Sequence, residues 1–209
     1  VIEDSIRAEE IGADALLVVT PYYNKTSFKG LIEHYYAIAD AVHIPIIVYN
    51  VPGRTGLNVT PAAFKELIKH PNIQGMKEAS GDISQVIEIA RLCGDRIDLY
   101  SGNDDIILPV LAVGGKGVIS VVANIAPKDT HELVVKFMNG DIAGSRQLQF
   151  KLNPLIEAIF IEVSPIPVKT ALNLIGFRAG KLRPPLTTMS EHNLEILKQR
   201  LIDYGFTIK

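Results

Sequence analysis

The chain has 209 residues, 47% of them hydrophobic, with 21 basic and 23 acidic side chains and a net charge of -2. That apolar content excludes a disordered chain, no basic cluster marks a nucleic-acid-binding surface, and no apolar run approaches the roughly 20 residues of a membrane span. With no signal peptide and a single cysteine, Cys93, on a helical stretch where it packs as a small hydrophobe, the sequence reads as a cytoplasmic protein.

The chain opens within a helical pattern over 2–11. Short β-branched runs follow at 13–20, 45–51, 73–79, 97–102 and 117–123. Between them, 29–42, 61–70, 83–92 and 105–113 carry apolar residues at the three-to-four spacing of amphipathic helices. Strands alternating with helices predict a parallel sheet covered on its faces, with right-handed crossovers bringing every strand's C-terminal end to one side. From 127 onward only helices are predicted, over 127–139, 142–161, 167–175 and 191–204. Asp141 and Ser190 fit as N-caps, and Gly140, Gly176 and Gly205 as terminators.

The expected organisation is therefore an α/β domain over 1–140 followed by a helical extension over 141–209, with no flexible linker. Five strands fall short of the eight in a (β/α)8 TIM barrel. A start without methionine, inside a helix, adds to the expectation of a barrel lacking its first three βα units. A smaller, complete open α/β sheet is the alternative.

The histidines His34, His43, His70, His131 and His192 are scattered, without metal-ligand spacing, and neither a dinucleotide nor a nucleoside triphosphate motif is present. No metal, cofactor, nucleic acid or membrane is expected as a partner. Gly114-Gly115-Lys116-Gly117 precedes a strand, which assigns it to a helix-to-strand turn rather than to a phosphate cradle.

Lys77 is the cation inside an otherwise buried strand. Desolvation disfavours an ammonium, and a neutral amine attacks carbonyl carbon, so imine chemistry stands against the plainer reading of a strand-end lysine reaching solvent. Its companions at the strand ends are Tyr23, Tyr49, Arg54 and the run Ser101-Gly102-Asn103-Asp104. Tyr49 follows Ile46-Ile47-Val48, so its ring is buried, and its hydroxyl serves either a backbone partner or a proton relay. Arg54 lies in a Pro-Gly-Arg-Thr-Gly turn, where its planar fork suits a carboxylate if it is not simply solvated. An amine, two phenols and a guanidinium at one face point to imine chemistry on an anionic carbonyl compound.

The segments TPYYNK (20–25), IIVYNVPGRTG (46–56), MKEASGD (76–82), SGNDD (101–105) and GVISVVANIAP (117–127) resemble the dihydrodipicolinate synthase family, within the N-acetylneuraminate lyase superfamily. The resemblance runs through the chain and corresponds to that family's fourth to eighth strands and C-terminal helices. It implies a lyase of lysine and diaminopimelate synthesis in which Lys77 forms a Schiff base with pyruvate and the enamine adds to aspartate semialdehyde. It also implies that Tyr49 relays protons and that Tyr23 reaches into a neighbouring subunit of a homotetramer. Arg54 would bind the semialdehyde carboxylate, and Gly102, Ile119 and Asn103 would line the pyruvate site. Tyr22 matches the single residue of the lysine feedback site found here. The family's second-strand threonine has no counterpart, which predicts weak or no turnover by this chain alone. A sugar-acid aldolase or N-acetylneuraminate lyase, and an inert fragment, are the competing readings.

Overall fold

Each of the five β-branched runs becomes a strand, and each helical pattern becomes a helix. In order, the first part of the chain forms α1 (Ile2–Glu10), β1 (Leu16–Val19), α2 (Phe28–Ala39), β2 (Ile46–Asn50), α3 (Pro52–Thr55), α4 (Pro61–Leu67), β3 (Ile73–Glu78), α5 (Ile83–Cys93), β4 (Asp98–Ser101), α6 (Ile107–Ala112) and β5 (Gly117–Val118). The computed structural model describes all 209 residues and divides into two units, Val1–Ile119 and Ser120–Lys209. This division falls one helix earlier than the boundary at 140 and 141 read from the sequence, because the helix that follows Ile119 packs on the next helix of the second unit.

In the first unit the strands are all parallel and lie in the order β1-β2-β3-β4-β5. An order that never reverses has no switch point, and right-handed crossovers between successive neighbours bring every helix to the same face. The burial pattern agrees. Leu16, Val18, Ile46, Val48, Met76 and Leu99 join Leu31, Tyr35, Ile38, Phe64, Leu67, Val86, Ile89 and Val110 in one core. The alternate residues Val19, Ile47, Tyr49, Lys77 and Tyr100 are half-buried, and Leu17 is 45% exposed. Helices thus cover one face of the sheet rather than both, which corrects the expectation drawn from strand and helix alternation.

Local chemistry sets the boundaries. Ser27, Thr60 and Asp82 accept hydrogen bonds from the first-turn amides of α2, α4 and α5, and Pro61 opens α4 where no amide hydrogen is needed. The hydroxyl of Tyr35, wholly buried on α2, donates to the Val18 carbonyl at 2.9 Å and pins α2 to β1. Gly114, at φ 99°, turns α6 toward β5, and a side chain on Gly115 would collide with the Val110 backbone at 2.7 Å. That run is the expected turn.

The second unit holds a 3-10 turn at Val122–Asn124, then α7 (Pro127–Met138), α8 (Ile142–Ile159), α9 (Ile166–Leu174) and α10 (Glu191–Tyr204). The fifth strand stops at Val118 instead of running to 123, since Ser120 accepts from the Ala123 amide and starts that turn. Asp141 and Ser190 cap α8 and α10 as expected, and Gly205 ends α10 in the left-handed region. Leu133, Leu152, Leu155, Ile159, Ala171, Leu197 and Leu201 form the interior. Lys151 of α8 and Tyr204 of α10 both reach Asp129 of α7, at 2.6 and 2.5 Å, and strap three helices together. No helix of the chain is long and apolar enough to cross a membrane.

Candidate active site

Strand register builds the site. Tyr49 pairs with Lys77 across β2 and β3, and Lys77 pairs with Tyr100 across β3 and β4, so the three side chains stand side by side on the face without helices. The Lys77 ammonium nitrogen lies 4.2 Å from the centroid of the Tyr49 ring. Burial lowers the Lys77 pKa below its ordinary value, and the nearby Asp104 carboxylate opposes part of that shift. Burial also raises the pKa of the Tyr49 phenol, opposed by the charge of Arg54. The Tyr100 phenol is raised by burial and by the Asp98 carboxylate. A partly desolvated amine against a protonated phenol is the pair that attack on a carbonyl requires: one group adds to carbon, the other moves a proton.

The sequence-derived residues fall into two groups. Lys77, Tyr49, Gly102, Asn103 and Ile119 gather at adjacent strand ends. The Gly102 amide donates to the Glu78 carbonyl at 2.6 Å, and the Ile119 amide donates to the Ser101 carbonyl at 2.9 Å. Arg54 sits in α3, a single turn beyond β2 that the sequence showed only as a loop, closed by Gly56 in the left-handed region. Tyr23 is different. The residue is 92% exposed and its backbone has φ 64°, an uncommon conformation for a tyrosine, so its own chain does not hold this phenol against the lysine. Of the two phenols that the sequence reading gathers at one face, Tyr49 alone is placed there.

Gly102 also has a purely steric reason to be glycine. A Cβ there would come within 2.5 Å of the Ala79 Cβ and 3.0 Å of the Glu78 carbonyl oxygen, both in the segment just after Lys77. The buried amide oxygen of Asn103 has no hydrogen-bond partner within the chain. No group of three or more histidine, cysteine or carboxylate side chains with metal-binding geometry occurs.

Sequence reasoning named Asp104 only as the last residue of a polar run, and it did not single out Tyr100 or the polar cluster behind Lys77. Asp104 is 2% exposed, and Glu78 and Asn50 are fully buried. Strand alternation was the available signal, since it puts Asn50 and Glu78 on the helix-covered face, where an acid needs partners.

Residues 2–203 fit the model of the dihydrodipicolinate synthetase family. The chain belongs to that family. A protein of Caldicellulosiruptor bescii named 4-hydroxy-tetrahydrodipicolinate synthase is 64% identical over 205 residues, covering 98% of this chain and 69% of the relative. The protein of that name from Acetivibrio thermocellus is 58% identical over 204 residues, with the same coverage. Among solved structures, dihydrodipicolinate synthase from Thermotoga maritima superposes with a TM-score of 0.94 at 44% identity, covering 98% of this chain and 70% of the other. The dihydrodipicolinate synthase of Aquifex aeolicus gives 0.96 at 38% identity, covering 100% of this chain and 71% of the other. These dihydrodipicolinate synthetase family likenesses run across both units of the chain.

Proposed function

We propose that the chain is a 4-hydroxy-tetrahydrodipicolinate synthase, a lyase that condenses pyruvate with aspartate semialdehyde through an imine on Lys77. The observation that carries this reading is the Lys77 amine, lowered in pKa by burial and set 4.2 Å from the Tyr49 ring, in a chain of this family.

The chemistry follows from those groups. The neutral Lys77 amine adds to the C2 carbonyl of pyruvate, and the carbinolamine loses water to give the imine. Tyr49, protonated and beside the amine, donates the proton that leaves with the hydroxyl. The Tyr49 phenolate left by that step takes a C3 proton to give the enamine, whose carbon adds to the aldehyde carbon of the second substrate as the phenol returns the proton to the aldehyde oxygen. That substrate's own amine then attacks the imine carbon, closing the ring and releasing Lys77 unchanged. Arg54 on its exposed turn supplies the cation for the semialdehyde carboxylate, while Gly102 and Ile119 bound the pyruvate position.

We read the five strands as the fourth to eighth of a (β/α)8 barrel, with residues 1–140 as barrel and 141–209 as helical extension. We place the enzyme in the cytoplasm, as a homotetramer in which Tyr23 serves a neighbouring protomer's site. Its exposure and left-handed backbone support that role, since both project the ring away from its own chain.

Incubation with pyruvate and borohydride, followed by peptide mass analysis, tests the lysine. The reduced pyruvyl adduct is expected on Lys77 and absent in Lys77→Met; an adduct on Lys169 instead would refute the assignment. Coupled assays comparing the two substrate classes should show aspartate semialdehyde turned over in preference to sugar aldehydes.

A further inference from the structure

Directly behind the layer that carries Tyr49 and Lys77 lies their sequence-neighbour layer, Asn50 and Glu78, in register on β2 and β3 and facing the helices. Both are fully buried. Glu78 receives four hydrogen bonds. Asn50 Nδ2 and Gln85 Nε2 donate to Oε1 at 2.8 and 2.9 Å, and the Ser80 amide and hydroxyl each donate to Oε2 at 3.0 Å. All four donors are neutral. A carboxylate in such a place costs desolvation that an apolar pair would not, so its retention calls for a geometric reason.

The partners supply one. Asn50 spends the rest of its amide on the segment that carries Arg54: its Oδ1 accepts from the Val59 amide at 2.9 Å and its Nδ2 donates to Asn58 Oδ1 at 2.8 Å. Asn58 and Gln85 of α5 exchange a reciprocal pair at 2.7 and 3.1 Å. Ser80 fixes the backbone three residues beyond Lys77. A single carboxylate thus ties the residue after Tyr49, the residues after Lys77 and both ends of the Arg54 segment into one hydrogen-bonded unit. It does so from the face of the sheet opposite the reacting groups.

We propose that Glu78 is a positioning residue that holds the Lys77 amine, the Tyr49 phenol and the Arg54 turn in mutual register through Asn50, Gln85 and Asn58. This rests on the imine-forming reading of Lys77. The network has two arms, one toward β3 through Ser80 and one toward the Arg54 segment through Asn58, and they control different steps. The β3 arm governs imine formation. The loop arm governs capture of the second, anionic substrate.

The test separates the arms. Glu78→Gln keeps the shape but turns an acceptor into an amide that faces donors. The rate at which borohydride traps pyruvate on Lys77 is expected to fall about 100-fold, the scale set by a misplacement near 1 Å. Asn58→Ala is expected to raise KM for aspartate semialdehyde several-fold and leave the pyruvate trapping rate unchanged. Urea unfolding accompanies both variants, because general destabilisation would move the two parameters together. If Glu78→Gln does not fold, Ser80→Ala removes the hydroxyl donor of the β3 arm and should slow trapping in the same sense. Trapping at the parent rate in the folded Glu78 or Ser80 variant overturns the proposal, as does a common loss of both parameters in Asn58→Ala. Absence of a Lys77 adduct in the unsubstituted chain overturns the imine reading itself, an outcome distinct from equal adduct formation in parent and variant.

Discussion

At the scale of single residues, Lys77 sets stability against chemistry. Its lowered pKa means that folding disfavours the ammonium. Between that lowered value and the ordinary 10.5 the unfolded chain binds more protons than the folded one. The penalty is therefore fully present below this window and is relieved as pH rises through it. Lys77→Met should melt at a higher temperature than the parent at neutral pH, with the difference shrinking as pH approaches 10.5. Equal melting temperatures at pH 7 would show that the amine bears no burial penalty. The neighbouring residues bear on the same trade. Gly102 leaves room for the Ala79 segment that a methyl group would displace, and Tyr49 is close enough for its ring to face the amine. Lys77 and Tyr49 were legible in the sequence, because an amine and a phenol interrupt otherwise apolar strands. Tyr100 was not, and Asp104 stood only within a polar run, since their nearness to Lys77 comes from register across strands and leaves no mark in spacing along one strand.

At the scale of elements, the sequence showed every strand and every long helix, because β-branched runs and three-to-four periodicity are local and strong here. It missed α3, four residues too short to show a period. It also misjudged which faces of the sheet are covered. That property depends on strand order, and five βα units read the same whether the order reverses or not. The contact that secures α2 to the sheet is the Tyr35 hydroxyl on the Val18 carbonyl. Tyr35→Phe keeps the ring and its packing and leaves that carbonyl without its side-chain donor. It should cost about 1 kcal/mol in urea unfolding, with no effect on trapping of pyruvate at Lys77. A neutral result would mean that the hydroxyl adds nothing beyond the ring it sits on.

At the scale of the whole molecule, Tyr23 raises the question of how many chains a site requires. A tyrosine 92% exposed on a left-handed backbone contributes little to its own chain. If it completes a neighbour's site, Tyr23→Ala and Lys77→Met chains should each be nearly inactive alone, and their co-assembly should restore measurable turnover. In the mixed assembly one site combines an intact lysine with an intact tyrosine from the other chain. Activity of the mixture no greater than the sum of its parts would assign Tyr23 to its own subunit. The match over both units to synthases of the dihydrodipicolinate synthetase family supports the functional reading across the whole chain.

The unbroken strand order carries a consequence in time. Because each strand pairs with the one made just before it, a nascent chain leaving the ribosome never has to wait for a distant partner, and pairing can advance from β1 toward β5 as synthesis proceeds. The lysine and its tyrosine, on consecutive strands, come side by side as soon as β3 emerges. The strand that Gly102 follows arrives next, and Gly102 then packs against the segment after the lysine.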